Sequence, residues 1–198
     1  MNNKVKRMCV IAMMGCLAFL LMFLKVSIPF ISPFADFDLS AVPELIGGFI
    51  LGPIGAILII MVKIALKIAF MGTSSMFTGE IQNVILSSAY VLPAVLIYYH
   101  NKTKKEALIG MCAGTVICAI VSIFTNIFII FPFYINLYGM SWEMIIDMFH
   151  TANPLIDSIP MMIIFSVIPC NLLYKGISSA VTYFTYKKIS KPLKGWLE

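Results

Sequence analysis

Polar and apolar positions do not alternate in this chain; apolar residues run in long blocks, over roughly 8–28, 41–71, 80–99, 107–131 and 159–186. A helix needs about 20 consecutive apolar residues to cross a hydrocarbon core ~30 Å thick, so such blocks predict transmembrane helices. The block 41–71 is too long for one crossing at ~1.5 Å per residue, and short for two ordinary ones. Gly52-Pro53, within "FILGPIGAIL", supplies the break, because proline ends one helix and can begin the next. The block 159–186 is also longer than one crossing requires. Pro169 suits a first helical position, so a span from Pro169 to about Lys188 is expected. The preceding "DSIPMMIIFSV" is left to an outer loop or a short external helix.

Charge turns this pattern into a topology. Basic residues cluster at Lys4, Lys6 and Arg7, at Lys102, Lys104 and Lys105, and at Lys187, Lys188, Lys191 and Lys194. The positive-inside rule puts all three clusters in the cytoplasm. That demands an even number of crossings before His100, so 41–71 must cross twice. The expectation is an all-α integral membrane protein of the cell membrane, a single six-helix domain over 1–198 with both termini cytoplasmic. Its spans fall at about 8–28, 41–51, 53–71, 80–99, 107–131 and 169–188, with outer loops 29–40, 72–79 and 132–168.

Composition agrees and narrows the function classes. Hydrophobic residues make up 61% of the chain and charged ones 12%, with a mean hydropathy of +0.98, more apolar surface than a soluble domain can hide. The start resembles a signal peptide, but no small-x-small cleavage site follows before Lys25, so a retained first span is expected. The five cysteines lie in or beside apolar runs without metal-type spacing, and are read as packing residues with no disulfide. There are two histidines and no H-E-x-x-H, no G-x-S-x-G and no phosphate-binding G-x-x-x-x-G-K-[ST]. The sequence therefore predicts no catalytic centre, no metal, no resident cofactor and no nucleic-acid partner.

The remaining polar residues gather toward one face. Asp36 and Asp38 lie in the first outer loop, with Glu44 just beyond; Glu80 and Asn83 open the fourth helix; Asn126 is near the outer end of the fifth. Asn171 and Lys175 share a face of the last span, since i and i+4 are helical neighbours. Beneath them the inner halves of the first, fourth and fifth helices carry almost no charge. A channel needs polar positions through the whole thickness, whereas this pattern suits a pocket open to the outside with apolar walls. Phe34, Phe37, Phe77, Phe131, Phe133 and Tyr134 stand at the same level and suit a flat ligand. Plainer readings stay open beside these. Asn126 either meets a ligand or bonds another helix, and the aromatics either stack on a ligand or form an interfacial belt. Glu80 suits a helix N-terminus, and Asp36 and Asp38 suit a solvated loop. Lys63 and Lys67 are expected to snorkel outward.

Four segments carry a resemblance that spans nearly the whole chain: "IPF…DFDLSAVPELIGGFILGP", "GEIQN" opening the fourth helix, asparagine ahead of "FPFY", and "IPCNLLYKG" opening the sixth. In these the chain resembles the substrate-binding S-components of energy-coupling factor (ECF) vitamin importers, and among them the riboflavin-specific type. The resemblance implies six helices and an outward-facing vitamin pocket capped by the first loop. It also implies docking on a membrane coupling subunit served by two cytoplasmic ATPases, which spend the ATP. By the same resemblance Asn126, Asn171 and Lys175 meet polar ligand groups, Phe37 and Asp38 belong to the capping loop, and Gly79, Glu80 and Asn83 belong to the pocket entrance. Phe133 and Tyr134 join the aromatic wall. The family lysine follows its asparagine by three residues, here by four. Ala12 and Cys16 form a small-x-x-x-small face of the kind that docks on the coupling subunit, with Cys16 where the family has alanine. Gly110 and Gly114 make a similar face, for docking or for internal packing. Two alternatives remain: the same architecture with another vitamin or precursor, and, from a different class, a small membrane enzyme or assembly factor.

Overall fold

The computed structural model describes residues 3–27, 36–73 and 75–197. Helices account for nearly all of them: α1 (Asn3–Phe23), α2 (Ala41–Leu51), α3 (Pro53–Met71), α4 (Thr78–Asn101), α5 (Lys104–Thr125), α6 (Phe131–Tyr138), α7 (Trp142–Ala152), α8 (Ile159–Met162) and α9 (Ile168–Leu197). A π-helical turn, Asn126–Ile130, joins α5 to α6, and a second, Ile163–Val167, joins α8 to α9. Five rods are long and apolar enough to cross a membrane: Asn3–Phe23, Pro53–Met71, Thr78–Asn101, Lys104–Tyr138 and Ile159–Ser190. The shorter apolar Ala41–Leu51 is the sixth helix of the expected set.

Three expected boundaries change. The first span ends at Phe23, not near residue 28, because the chain there enters a two-residue antiparallel ladder, β1 (Val26–Ser27) with β2 (Asp36–Phe37). The last rod begins at Ile159, not at Pro169. The expected outer loop 132–168 is largely helical, holding α6, α7 and α8. The π turns explain how the helices continue. Proline lacks the N–H that bonds the carbonyl four residues back, and its ring crowds that carbonyl. Pro132 and Pro169 each stand second after a π turn, where bonding from i to i+5 widens the helix. The Phe131 N–H reaches the Asn126 carbonyl, and the Ile168 N–H that of Ile163, so each proline follows the wider turn and the rod continues.

The break at Gly52-Pro53 is present. Gly52 adopts φ +90°, a left-handed backbone that favours glycine, and Pro53 begins α3. Two carbonyls freed at the end of α2 find side-chain donors: Arg7 Nη2 donates to Leu51 O at 3.0 Å, and Tyr99 Oη to Ile50 O at 3.2 Å. The Arg7 charge also suits a helix C-terminus.

Every residue of α2 is buried, because α1, α3, α4 and α9 surround it. Leu45, Ile46 and Phe49 pack against Ile59, Ile60, Val91, Val95, Tyr98 and Tyr186. A second cluster, Phe131, Ile145, Phe149, Ile156 and Met162, closes the α6–α8 end. Gly110 and Gly114 resolve as internal packing: a Cβ on Gly110 would stand 2.6 Å from the Ala94 carbonyl oxygen, and one on Gly114 would meet that of Tyr90. Ala12 and Cys16 stay exposed on α1.

Burying α2 also buries Glu44 in its first turn, and a carboxylate there requires a countercharge. Lys63 supplies it, with Nζ 2.5 Å from Glu44 Oε1 and both side chains fully buried. The expected outward snorkelling of Lys63 is therefore wrong, because its charge is met inside the bundle. Its Nζ also donates to Asn83 Oδ1 at 2.7 Å, and its third hydrogen is shared between Ser87 Oγ at 3.3 Å and Ser40 Oγ at 3.4 Å. Lys67, one turn along, pairs with Glu80 instead of reaching outward. Removing one partner of a buried pair strands the other charge. Lys63→Met is expected to cost about 3–5 kcal/mol of stability, while Lys63→Met with Glu44→Met is expected to be near neutral. Thermal unfolding in detergent checks this; a single variant as stable as wild type would show that Glu44 is not charged by need of Lys63.

Candidate functional site

A cavity of about 380 Å³ lies among α4, the α5–α6 junction, α9 and the residues just before α2. It collects most of the expected site: Asp38, Gly79, Asn83, Asn126, Tyr134, Asn171 and Lys175 all line it. The first turns of α4 bring Gly79 and Asn83, the π turn opening at Asn126 brings that asparagine, and α9 brings Asn171 and Lys175 one turn apart.

Four expected residues stand differently. Glu80 is buried and does not itself line the cavity: its carboxylate stands behind the lining residues Lys67, with which it pairs, and Ser75, from whose Oγ it accepts at 3.3 Å, and it also accepts from Thr73 Oγ1 at 3.2 Å. Phe133 does not line the cavity; Phe131 and Tyr134 do, because they share a helix face at i, i+3 and Phe133 does not. Phe37 stands behind the wall, its ring 5.2 Å from that of the lining residue Tyr174. Phe77 is half-exposed outside the cavity. Phe34 and the side chain of Asp36 lie outside the described residues. Asp38 is held in place, accepting from the Ser40 N–H at 2.8 Å.

The asparagines have fixed polarity, and their partners show which way each amide faces. Asn171 Nδ2 donates to the Val167 carbonyl at 2.9 Å and to Ser122 Oγ at 3.0 Å, which uses both its donors. Its Oδ1 receives only a weak thiol contact from Cys118 at 3.9 Å, so Asn171 offers an acceptor to the cavity. Asn126 Nδ2 donates to the Ser122 carbonyl at 2.7 Å, and its Oδ1 accepts from Gln82 Nε2 at 3.4 Å. Asn83 is the reverse of Asn171: its oxygen is taken by Lys63, a residue that can only donate, which leaves its NH₂ as the open group.

Lys175 answers the question its position raises. Its Nζ lies 5.3 Å from the centre of the Tyr90 ring, within range of a cation–π contact. Tyr90 is itself tied to α9, donating to the Lys175 carbonyl at 3.2 Å and sharing a 2.6 Å bond with Ser179 Oγ. Among the described residues no carboxylate pairs with the Lys175 ammonium. Sequence reasoning missed Ser122, Gln82, Ser87, Ser40 and Tyr174. Ser122 is an ordinary small residue in an apolar run and carries no signal, whereas Glu44 and Lys63 do: each alone is costly in a membrane, and together they suggest a pair.

Comparison with known proteins agrees with this architecture. The family model described as "ECF transporter, substrate-specific component" matches residues 6–186. The chain is 30% identical over 190 residues to the riboflavin transporter RibU of Staphylococcus aureus (strain TCH60), covering 96% of this chain and 93% of that protein. It is 25% identical over 196 residues to the riboflavin transporter FmnP of Bacillus subtilis (strain 168), covering 98% and 95%. A solved S component of a bacterial ECF transporter superposes with a TM-score of 0.74 at 27% identity, covering 96% of this chain and 99% of that one. With its helices, its cavity and a match over nearly its whole length, the chain belongs to the substrate-specific components of ECF transporters.

Proposed function

We propose that this chain binds riboflavin in the cavity between α4, α5–α6 and α9 and presents it for import. The observation that carries the reading is the pair on α9: an acceptor at Asn171 Oδ1 and, one turn on, a donor at Lys175 that meets no carboxylate among the described residues. Riboflavin has a flat tricyclic ring whose pyrimidine-like edge alternates carbonyl, imide N–H and carbonyl, so an acceptor beside a donor complements it. Phe131, Tyr134 and Tyr174 supply aromatic wall, and about 380 Å³ is within the ordinary range for small-molecule sites. The names of the two relatives as riboflavin transporters support the same choice.

The expected result is quenching of flavin fluorescence on titration of the purified protein. Asn171→Leu removes the acceptor and is expected to weaken binding roughly ten- to hundredfold, from ~1–3 kcal/mol for an unpaired ligand group. A wild type without quenching would sink the riboflavin reading, and an Asn171→Leu variant with unchanged affinity would make that asparagine a helix contact.

Import also needs partners and an orientation. The reading places a coupling subunit against the exposed face of Ala12 and Cys16, with two cytoplasmic ATPases supplying the energy. Close helix approach tolerates small side chains only. Ala12→Trp or Cys16→Trp is therefore expected to leave flavin binding intact and to abolish uptake by cells; normal uptake in both variants would move the docking face elsewhere.

The cationic ends set the orientation. The N-terminal, α4–α5 and C-terminal basic clusters favour the cytoplasm of a cell-membrane protein, which opens the cavity outward. A cysteine introduced by Thr103→Cys in a background without accessible native cysteines should react with an impermeant maleimide only after the cells are broken. Reaction in intact cells would reverse the assignment.

A further inference from the structure

Asn83 lines the cavity, but the group that orients it does not. Lys63 and Glu44 are fully buried and outside the cavity lining, and between them they tie three elements together: Glu44 on α2, Lys63 on α3, and Asn83 with Ser87 on α4. Ser40, at the start of α2, is the fourth contact, and its backbone N–H holds Asp38 at the cavity edge. An asparagine amide can present either end, and at an isolated site the two orientations are close in energy. A lysine removes that freedom, because an ammonium has three donors and no acceptor. At 2.7 Å from Oδ1, Lys63 admits the Asn83 oxygen and rejects its NH₂. Glu44 fixes the ammonium in turn, at 2.5 Å, so the orientation of the amide descends from the ion pair.

We propose that the buried Lys63–Glu44 pair is a positioning device that locks Asn83 with its NH₂ toward the ligand, so that this point of the cavity selects a hydrogen-bond acceptor. This rests on the riboflavin reading for the identity of the ligand. On that reading the acceptor is a ring carbonyl, a ring nitrogen without hydrogen, or a ribityl oxygen. Neither member of the pair touches the ligand. The effect is on preorganisation: a donor already aimed into the cavity costs nothing to turn when the ligand arrives.

A double-mutant cycle separates this role from a merely structural one. One arm is Lys63→Met with Glu44→Met, which removes both charges together and also the buried Glu44 Oε2, which has no partner. The other arm is Asn83→Leu. Riboflavin affinity is read by fluorescence quenching, and folding by thermal unfolding and monodisperse elution. The paired replacement is expected to weaken riboflavin at least about twofold, because the released amide is turned the wrong way about half the time, and up to about tenfold where the wrong orientation becomes the preferred one. In the Asn83→Leu background the same replacement is expected to leave affinity unchanged, because the residue through which the pair acts is gone. Asn83→Asp provides an independent check with the pair intact. A carboxylate accepts only, so this near-isosteric change should weaken binding as much as Asn83→Leu does.

Equal losses in both backgrounds would overturn the proposal and make the pair a structural support. So would an unchanged affinity in the paired variant, or an Asn83→Asp variant that binds like wild type. A paired variant that fails to fold leaves the decision to Asn83→Asp. A wild type that does not bind riboflavin at all is a separate result: it overturns the ligand reading, and the acceptor assignment falls with it.

Discussion

A lysine ammonium with no exposed surface inside a membrane bundle persists only where a carboxylate and several neutral acceptors surround it, since an isolated buried charge costs many kcal/mol. Lys63 meets that condition with Glu44, Asn83, Ser87 and Ser40, and so specifies where α2 and α4 stand relative to α3. Lys67, one turn further along the same helix, pairs with Glu80, whose carboxylate also accepts from the Thr73 and Ser75 hydroxyls. Helix α3 is thereby clamped twice, once to α2 and once to α4. A slip of one turn along any of these helices would leave charges unmatched. Apolar packing alone tolerates such slips far better, so the ion pairs give the bundle register while the core gives it cohesion.

The cavity stands where the backbone is irregular. Asn126 opens the π turn between α5 and α6, and Asn171 follows the π turn and proline that begin α9. Irregular backbone is tolerated at membrane depth only where protein or a cavity, and not lipid, receives its polar groups. Here the turns meet that demand and also use it. The Val167 carbonyl, at the end of one π turn, accepts the Asn171 amide, and Ser122, one turn before the other, accepts Asn126. The prolines that require the wider turns thus also place the asparagines.

Much of this was legible beforehand because it depends on bulk properties. Block length and the Gly52-Pro53 break indicated the helices, and the placing of Asn83, Asn126, Asn171 and Lys175 at one end indicated the cavity. What could not be read depends on atoms in contact. Pro169 is equally suited to starting a helix and to following a π turn, so the sequence left the start of the last rod open by ten residues. Phe133 looked as good as Phe131 because the face of a helix after a π turn cannot be counted from an ordinary 3.6-residue period. Lys63 was assigned to the interface because snorkelling is the common solution for a membrane lysine. The deciding fact was that four neighbouring helices surround the apolar α2, so that Glu44 in its first turn must find a countercharge inside the bundle.

The origin of the pocket's polarity can be followed further back. Ser122 Oγ donates to the Ala119 carbonyl at 2.7 Å, which commits its hydrogen and leaves its lone pairs for the Asn171 Nδ2. The Ser122 carbonyl accepts Asn126 Nδ2, so one residue of α5 orients two asparagines on two different elements. A helix carbonyl cannot turn over without breaking the helix, whereas a side-chain amide can turn over freely. Direction therefore passes from backbone to serine to asparagine, and ends at an acceptor facing the cavity. On the other wall it passes from Glu44 to Lys63 to Asn83, and ends at a donor. The two amides end with opposite polarity because one series of bonds begins from carbonyls and the other from a buried ion pair, and Lys175 adds a further donor on the helix that carries Asn171.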